Sequence, residues 1–132
     1  MKFGMFFPQG WRLDRVGIEP GQHWGVMAGL ARRADANEDW TSIWVYDHFH
    51  TMPSTELVAV FECWTSTEAL ARDTKRVKIG QMVTCNGYRN PALLAKMAST
   101  VDVMSHGRLI LGIGAGWYEH EWLGYGFGFP DT

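Results

Sequence analysis

The chain has 132 residues, 46% of them hydrophobic, and a formal charge of −2. That is the length and composition of one globular unit with a real core. The near-zero charge, with no block of Lys or Arg, excludes the electrostatic footprint that nucleic acid or an acidic membrane surface requires. No apolar run approaches the roughly 20 residues of a membrane span, and no basic segment leads into an apolar stretch with a cleavage site. The expectation is a cytoplasmic location, with neither nucleic acid nor membrane as partner. Cys63 and Cys85 stand apart without CxxC spacing, which predicts free thiols.

Lys2 to Phe7 is a short apolar run closed by Pro8-Gln9-Gly10, the pattern of a buried strand entering a loop. Trp24, Met27, Ala28, Ala31 and Ala34 then recur at helical steps. Thr41 to Tyr46 is β-branched and aromatic, as a strand should be, and runs into Asp47-His48-Phe49-His50. Beyond Pro53, Ser54 or Thr55 is placed to cap a second helix through Leu57, Val60, Phe61, Trp64 and Ala71.

Val77 to Thr84 predicts strand three, with Gly80 inside it marking a bulge or a close backbone approach. Asn90-Pro91 is a helix start, with Leu94, Met97, Ala98, Val101 and Met104 as the buried stripe and Gly107 as the left-handed cap. Arg108 to Ile113 is strand four, ending in Gly114-Ala115-Gly116. Gly124 to Pro130 reads as a loop with no further periodic element.

A βα unit thus recurs about every 32 to 39 residues, close to the roughly 31 per unit of a (β/α)₈ barrel. Alternating strands and helices imply parallel strands, and near-continuous apolar strands imply a covered or closed sheet. Four units do not close an eight-stranded barrel. Residues 1–132 are therefore expected to be the N-terminal half of a TIM barrel, strands one to four with the following loop.

In such architectures function collects at the C-terminal ends of the strands. His48 is the candidate for proton transfer, because an imidazole titrates near neutrality and Asp47 beside it can orient a ring or hold a cofactor donor. Spacing equally allows an ordinary loop histidine with a capping aspartate. Asp47, His48 and His50 lack the third and fourth partners a metal site needs. Gly112 to Gly116 has GxGxG spacing, not the GxGxxG of a dinucleotide turn, and Asp131 is the only acid near the offset a ribose would want. Three glycines at a mouth let a flat ring lie against bare backbone; a tight turn needing positive φ explains them as well.

The segments MKFGMFFPQGW, SIWVYDHFH and IGQMVTCNGYRNPALLAKMASTVDVMSHGRLILGIGAGWYEHEW resemble the luciferase-like monooxygenase superfamily, and within it most closely the coenzyme F420-dependent oxidoreductases. The resemblance implies a TIM barrel whose mouth holds the deazaflavin of F420 or the isoalloxazine of FMN, with hydride passing between the ring and a small organic substrate. It implies that Asp47 contacts the cofactor and that His48 is the catalytic histidine. It places a non-prolyl cis peptide at Met82-Val83, backing the ring, and puts Cys85, Asn86, Ala115, Gly116 and His120 at or near further contacts.

Relatives that oxidise sugar phosphates carry a glutamate directly after the strand-four glycines, and Trp117 stands there instead, which argues against that substrate. Strands five to eight supply much of the family's site for the cofactor's phosphate tail. Each charge-assisted hydrogen bond missing from that site costs about 1.5 to 3 kcal/mol, so this chain alone is expected to be inactive or weak. The alternative expectation is a non-catalytic half-barrel that self-associates or complements a second-half chain through its exposed barrel-facing residues.

Overall fold

The computed structural model describes residues 1–130; Asp131, the acid weighed at the ribose offset, lies outside the described residues. Strands β1 (Phe3–Phe6), β2 (Trp40–Val45), β3 (Lys78–Gln81) and β5 (Leu109–Ile110) form one parallel sheet in that spatial order. A short parallel pair, β4 (Thr84–Cys85) with β6 (Ile113–Gly114), continues beyond it. Helices α1 (His23–Ala36), α2 (Cys63–Asp73) and α3 (Pro91–Met104) are the crossovers. Strands that follow one another in space as they do in sequence, each joined by a right-handed crossover, keep all three helices on one side. This is the winding of a (β/α)₈ barrel and not of a doubly wound sheet, which reverses at a switch point. The fold is a parallel α/β segment of a TIM barrel.

The period-2 alternation of the strands divides the two faces. Ile43 and Val45 of β2 and Ile79 of β3 are buried against Met27, Ala31, Trp64, Leu70, Leu94 and Val101 of the helices. On the opposite face the Trp44 indole spreads across both neighbouring strands: a Cβ on Gly4 or on Gly80 would come within 2.5 Å of it. Gly80 is thus a site of close approach, one of the two readings its place inside a strand allows. At the lower rim Asp35, on the last turn of α1, accepts from the backbone N–H groups of Lys75, Arg76 and Val77. Arg108 donates to the carbonyls of Ala71, Thr74 and Val77, so side chains hold the ends of α1 and α2.

The observed elements differ from the sequence expectations in three places. The third and fourth strands are each broken. After Met82 N donates to Val45 O at 2.9 Å, the chain leaves β2, the Met82-Val83 peptide is cis, and Thr84 N bonds Gly112 O at 2.8 Å. Gly112 permits this because a Cβ there would lie 2.0 Å from Gln81 O.

The second helix starts at Cys63, well past Ser54. Its cap is the Glu62 carboxylate, which accepts from Trp64 N at 3.0 Å and Thr65 N at 2.6 Å, and Leu57, read as the first residue of its apolar stripe, is exposed. The third difference is a helix α4 (Glu119–Gly124) in a stretch to which sequence pattern assigns no element; the loop read from Gly124 begins one residue later, at Tyr125.

Candidate functional site

The upper strand ends surround a cavity of about 420 Å³ lined by Trp11, Tyr46, Asp47, His48, Met82, Val83, Cys85, Tyr88 and Ala115 to Tyr118. Of the residues singled out in the sequence, Asp47, His48, Met82, Val83, Cys85, Ala115 and Gly116 come together there. Asn86 and His120 do not line it. Asn86 is exposed and spends its backbone N–H on Gly114 O, while His120 is exposed and turns its Nδ1 to His50 Nε2 at 3.3 Å.

His48 is held by a residue that sequence pattern does not single out. Glu121, from the short α4, is fully buried. Its Oε2 accepts from His48 Nδ1 at 3.0 Å and from the Tyr88 hydroxyl at 2.9 Å, and its Oε1 accepts from the Phe49 and His50 backbone N–H groups. A carboxylate can only accept, so the proton of the neutral ring sits on Nδ1 and the lone pair on Nε2.

Burial works against the Glu121 charge, but His48, the Phe49 N–H and Tyr88 outweigh it and hold its carboxyl below the ordinary range. Tyr88 is pushed the other way, up, by burial and by its bond to Glu121. The His48 ring is stacked on Trp11, with centroids 4.4 Å apart, and meets Trp117 edge-on at 6.3 Å.

Asp47 is buried and fully engaged. Arg89 takes both its oxygens, at 2.5 and 2.9 Å, and Cys85 N donates to Oδ2 at 2.9 Å. Arg89 also reaches Glu62, so strand two, the cap of α2 and the end of the broken strand three are tied at one guanidinium. Burial pushes the Asp47 carboxyl up against the pull of Arg89. Arg89 is raised, its own desolvation outweighed by Asp47 and Glu62.

Neither Arg89 nor Glu121 carries a signal at its own position in sequence. Arg89 precedes a helix cap and Glu121 lies in an aromatic stretch, and each finds its partner across the fold. The remaining floor is bare: Gly116 has φ +84°, and a Cβ there would meet Cys85 Sγ at 2.5 Å.

The family model described as luciferase-like monooxygenase matches residues 1–132. The chain belongs to the luciferase-like monooxygenase family. Among its relatives, the F420-dependent glucose-6-phosphate dehydrogenase of Kineococcus radiotolerans is 33% identical over 113 residues, covering 82% of this chain and 32% of that protein. A phthiodiolone/phenolphthiodiolone dimycocerosates ketoreductase of Mycobacterium sp. (strain JLS) is 34% identical over 107 residues, 68% of this chain and 27% of the relative.

Of the solved structures, an F420-dependent secondary alcohol dehydrogenase in complex with an F420-acetone adduct superposes with a TM-score of 0.71 at 27% identity, over 98% of this chain and 36% of that one. The oxygenating constituent of 3,6-diketocamphane monooxygenase from Pseudomonas putida, in complex with FMN, superposes with a TM-score of 0.73 at 25% identity, over 97% and 33%. The luciferase-like family therefore has members that use F420 and members that use FMN. This chain spans less than half the length of the curated relatives it matches.

Proposed function

We propose that these residues form the ring end of a flavin-type cofactor site in an oxidoreductase, with F420 favoured over FMN, and that His48 moves the proton that accompanies hydride transfer. The observation that carries this is the His48–Glu121 pair at 3.0 Å beside a cavity of about 420 Å³, a volume within the range of small-molecule sites.

The cavity fits a flat ring. Met82 and Val83 expose their side chains on one side, Ala115 and Gly116 offer nearly bare backbone on another, and Trp11 and Trp117 wall the histidine. When bound, such a ring supplies the position that gives or takes hydride. His48 Nε2 takes a proton from, or returns it to, the substrate oxygen, and Glu121 stabilises the imidazolium while it lasts. Trp11, buried and stacked on the imidazole, keeps water from that face of His48. Asp47 serves the cofactor through position, holding Cys85 N and with it the bulge at Met82-Val83.

Titration with F420 and with FMN, followed by fluorescence, tests the reading. Ala115→Trp, at an exposed position on the cavity wall, should abolish saturable quenching. Identical saturable curves for the native protein and the variant would sink it, whereas saturation at micromolar cofactor would overturn the expectation that this chain alone binds weakly. A second reading, pairing with a second copy or a second-half chain, is favoured by the exposed apolar residues Phe3, Phe6 and Ile113 of the strands and Leu111 between β5 and β6. Light scattering that finds a monodisperse monomer removes the pairing with a second copy.

A further inference from the structure

His50 and His120 stand beside the mouth without lining it. His50, half-buried, follows β2 in the loop that also carries His48, and His120, exposed, lies on α4. Their rings meet with His50 Nε2 and His120 Nδ1 3.3 Å apart, centroids 5.1 Å apart and planes crossed at 86°. Of the three residues weighed for a metal in the sequence, Asp47 is spent on Arg89 and Cys85 N, and His48 turns its Nδ1 to Glu121. His50 keeps one ring nitrogen for a partner and finds a second imidazole 70 residues further on, a spacing that no motif reveals.

Two observations point these nitrogens at an ion. The first is the tautomer. His50 Nδ1 lies 3.1 Å from Thr51 O, and a carbonyl only accepts, so the neutral ring carries its proton on Nδ1 and its lone pair on Nε2, the atom that faces His120. A ring N–H spent on a backbone carbonyl is the arrangement that orients a metal-ligating histidine. Thr51 is itself buried and pinned, its hydroxyl donating to Ser54 O and accepting from Glu56 N.

The second is the set of the rings. Two imidazole nitrogens, each about 2.0 to 2.1 Å from a tetrahedral ion, lie about 3.3 to 3.4 Å from one another, the separation found here. A straight N–H···N bond of that length would hold the two centroids about 5.6 Å apart. At 5.1 Å the rings are bent off that line, as two ligands converging on one point are.

Zinc, nickel and copper accept imidazole nitrogen, whereas magnesium and calcium call for oxygen. Among the described residues no third His, Cys, Asp or Glu completes a set, so the other coordination positions fall to water. We propose that His50 Nε2 and His120 Nδ1 together bind one divalent ion of the zinc class. Without the ion, His120 Nδ1–H donates to His50 Nε2; binding moves that proton to His120 Nε2. The ion ties α4 to the loop after β2, a crossing that Glu121, next to His120, already spans by accepting from His50 N. The site is separate from the mouth and stands or falls independently of the flavin-type reading.

The test is a titration of the protein with Zn²⁺, followed by calorimetry and by the histidine ring nitrogens in proton–nitrogen correlation spectra. Mg²⁺ serves as control and Co²⁺ as a spectroscopic probe. Expected are saturation at one Zn²⁺ per chain, shifts of His50 Nε2 and His120 Nδ1 while His50 Nδ1 keeps its proton, and no saturable binding of Mg²⁺. Affinity should be at least about tenfold weaker in His50→Gln and in His120→Gln and unchanged in His106→Gln. Zn²⁺ binding that is absent, or that is undiminished in His50→Gln or in His120→Gln, overturns the proposal. So does a thiolate-to-cobalt charge-transfer band, which would put the ion on Cys63 or Cys85. If His50→Gln does not fold, the exposed His120→Gln decides together with the native titration.

Discussion

Glu121→Gln keeps the shape of a fully buried side chain and changes only its charge and its donors. Backbone N–H groups do not reverse, so the amide oxygen must stay on Phe49 N and His50 N, and the new NH₂ falls where Oε2 now meets His48 Nδ1 and the Tyr88 hydroxyl. Tyr88 adapts by rotating its hydroxyl. His48 adapts only by moving its proton to Nε2, which removes the lone pair that the proposed chemistry uses.

Bonds to a charged group contribute about 1.5 to 3 kcal/mol and neutral ones about 0.5 to 1.5, so downgrading three good bonds predicts a loss of about 2 to 4 kcal/mol. Denaturant unfolding measures that loss, and ring-nitrogen shifts of His48 report the tautomer. Turnover in any assay that depends on His48 should fall about a hundredfold or more. An unfolding free energy within about 0.5 kcal/mol of native, together with an Nε2 that still lacks a proton, would show that Glu121 does not hold the histidine.

Arg89→Met leaves the buried Asp47 carboxylate without its partner and should cost about 3 to 5 kcal/mol, read as a lowered thermal midpoint; an unchanged midpoint would remove Arg89 from its tying role. Gly112→Ala drives a Cβ toward Gln81 O and should cost about 1 to 3 kcal/mol as overpacking, whereas Gly25→Ala, with open space around it, should be neutral or better by the same unfolding assay.

Stability should also fall in acid. The Glu121 carboxyl lies below its ordinary 4.5, so its contribution is complete above about that pH and is lost as pH drops through the folded value. Glu62 acts in the same sense. Asp47, raised by burial, acts in the opposite sense, with stability lost as pH rises through its folded value. Unfolding midpoints measured from about pH 7 down to pH 3 should drop below pH 4.5 more steeply in the native protein than in Glu121→Gln.

Periodicity and capping chemistry made α1, α3 and the strand order legible, because those elements are decided by local pattern and by a face that repeats. The start of α2 was not legible that way. Leu57 continues a helical spacing with Val60, Phe61 and Trp64 but lies exposed, while Glu62, an acid with no signal of its own, supplies the cap. The broken strands are a contact effect: Gly112 matters because Gln81 O comes close, and no window of sequence holds both.

At the site, Asp47 and His48 stood out because they end a strand. Glu121 and Arg89 did not, because a carboxylate becomes an orienting group only when the fold brings His48 to it from across the sheet. Resemblance to a family supplied Met82-Val83, which pattern alone reads as a strand end.

The Trp44 indole, lying over Gly4 and Gly80, has a consequence for how such chains diverge. Positions 4, 44 and 80 share one parcel of space although they belong to three strands, so none of them is free to vary alone. A methyl group gained at either glycine requires atoms shed from the indole, and removing the indole leaves a hollow that larger neighbours would have to fill. Substitution at these positions should therefore be epistatic, with the three side chains exchanging bulk while their sum holds steady.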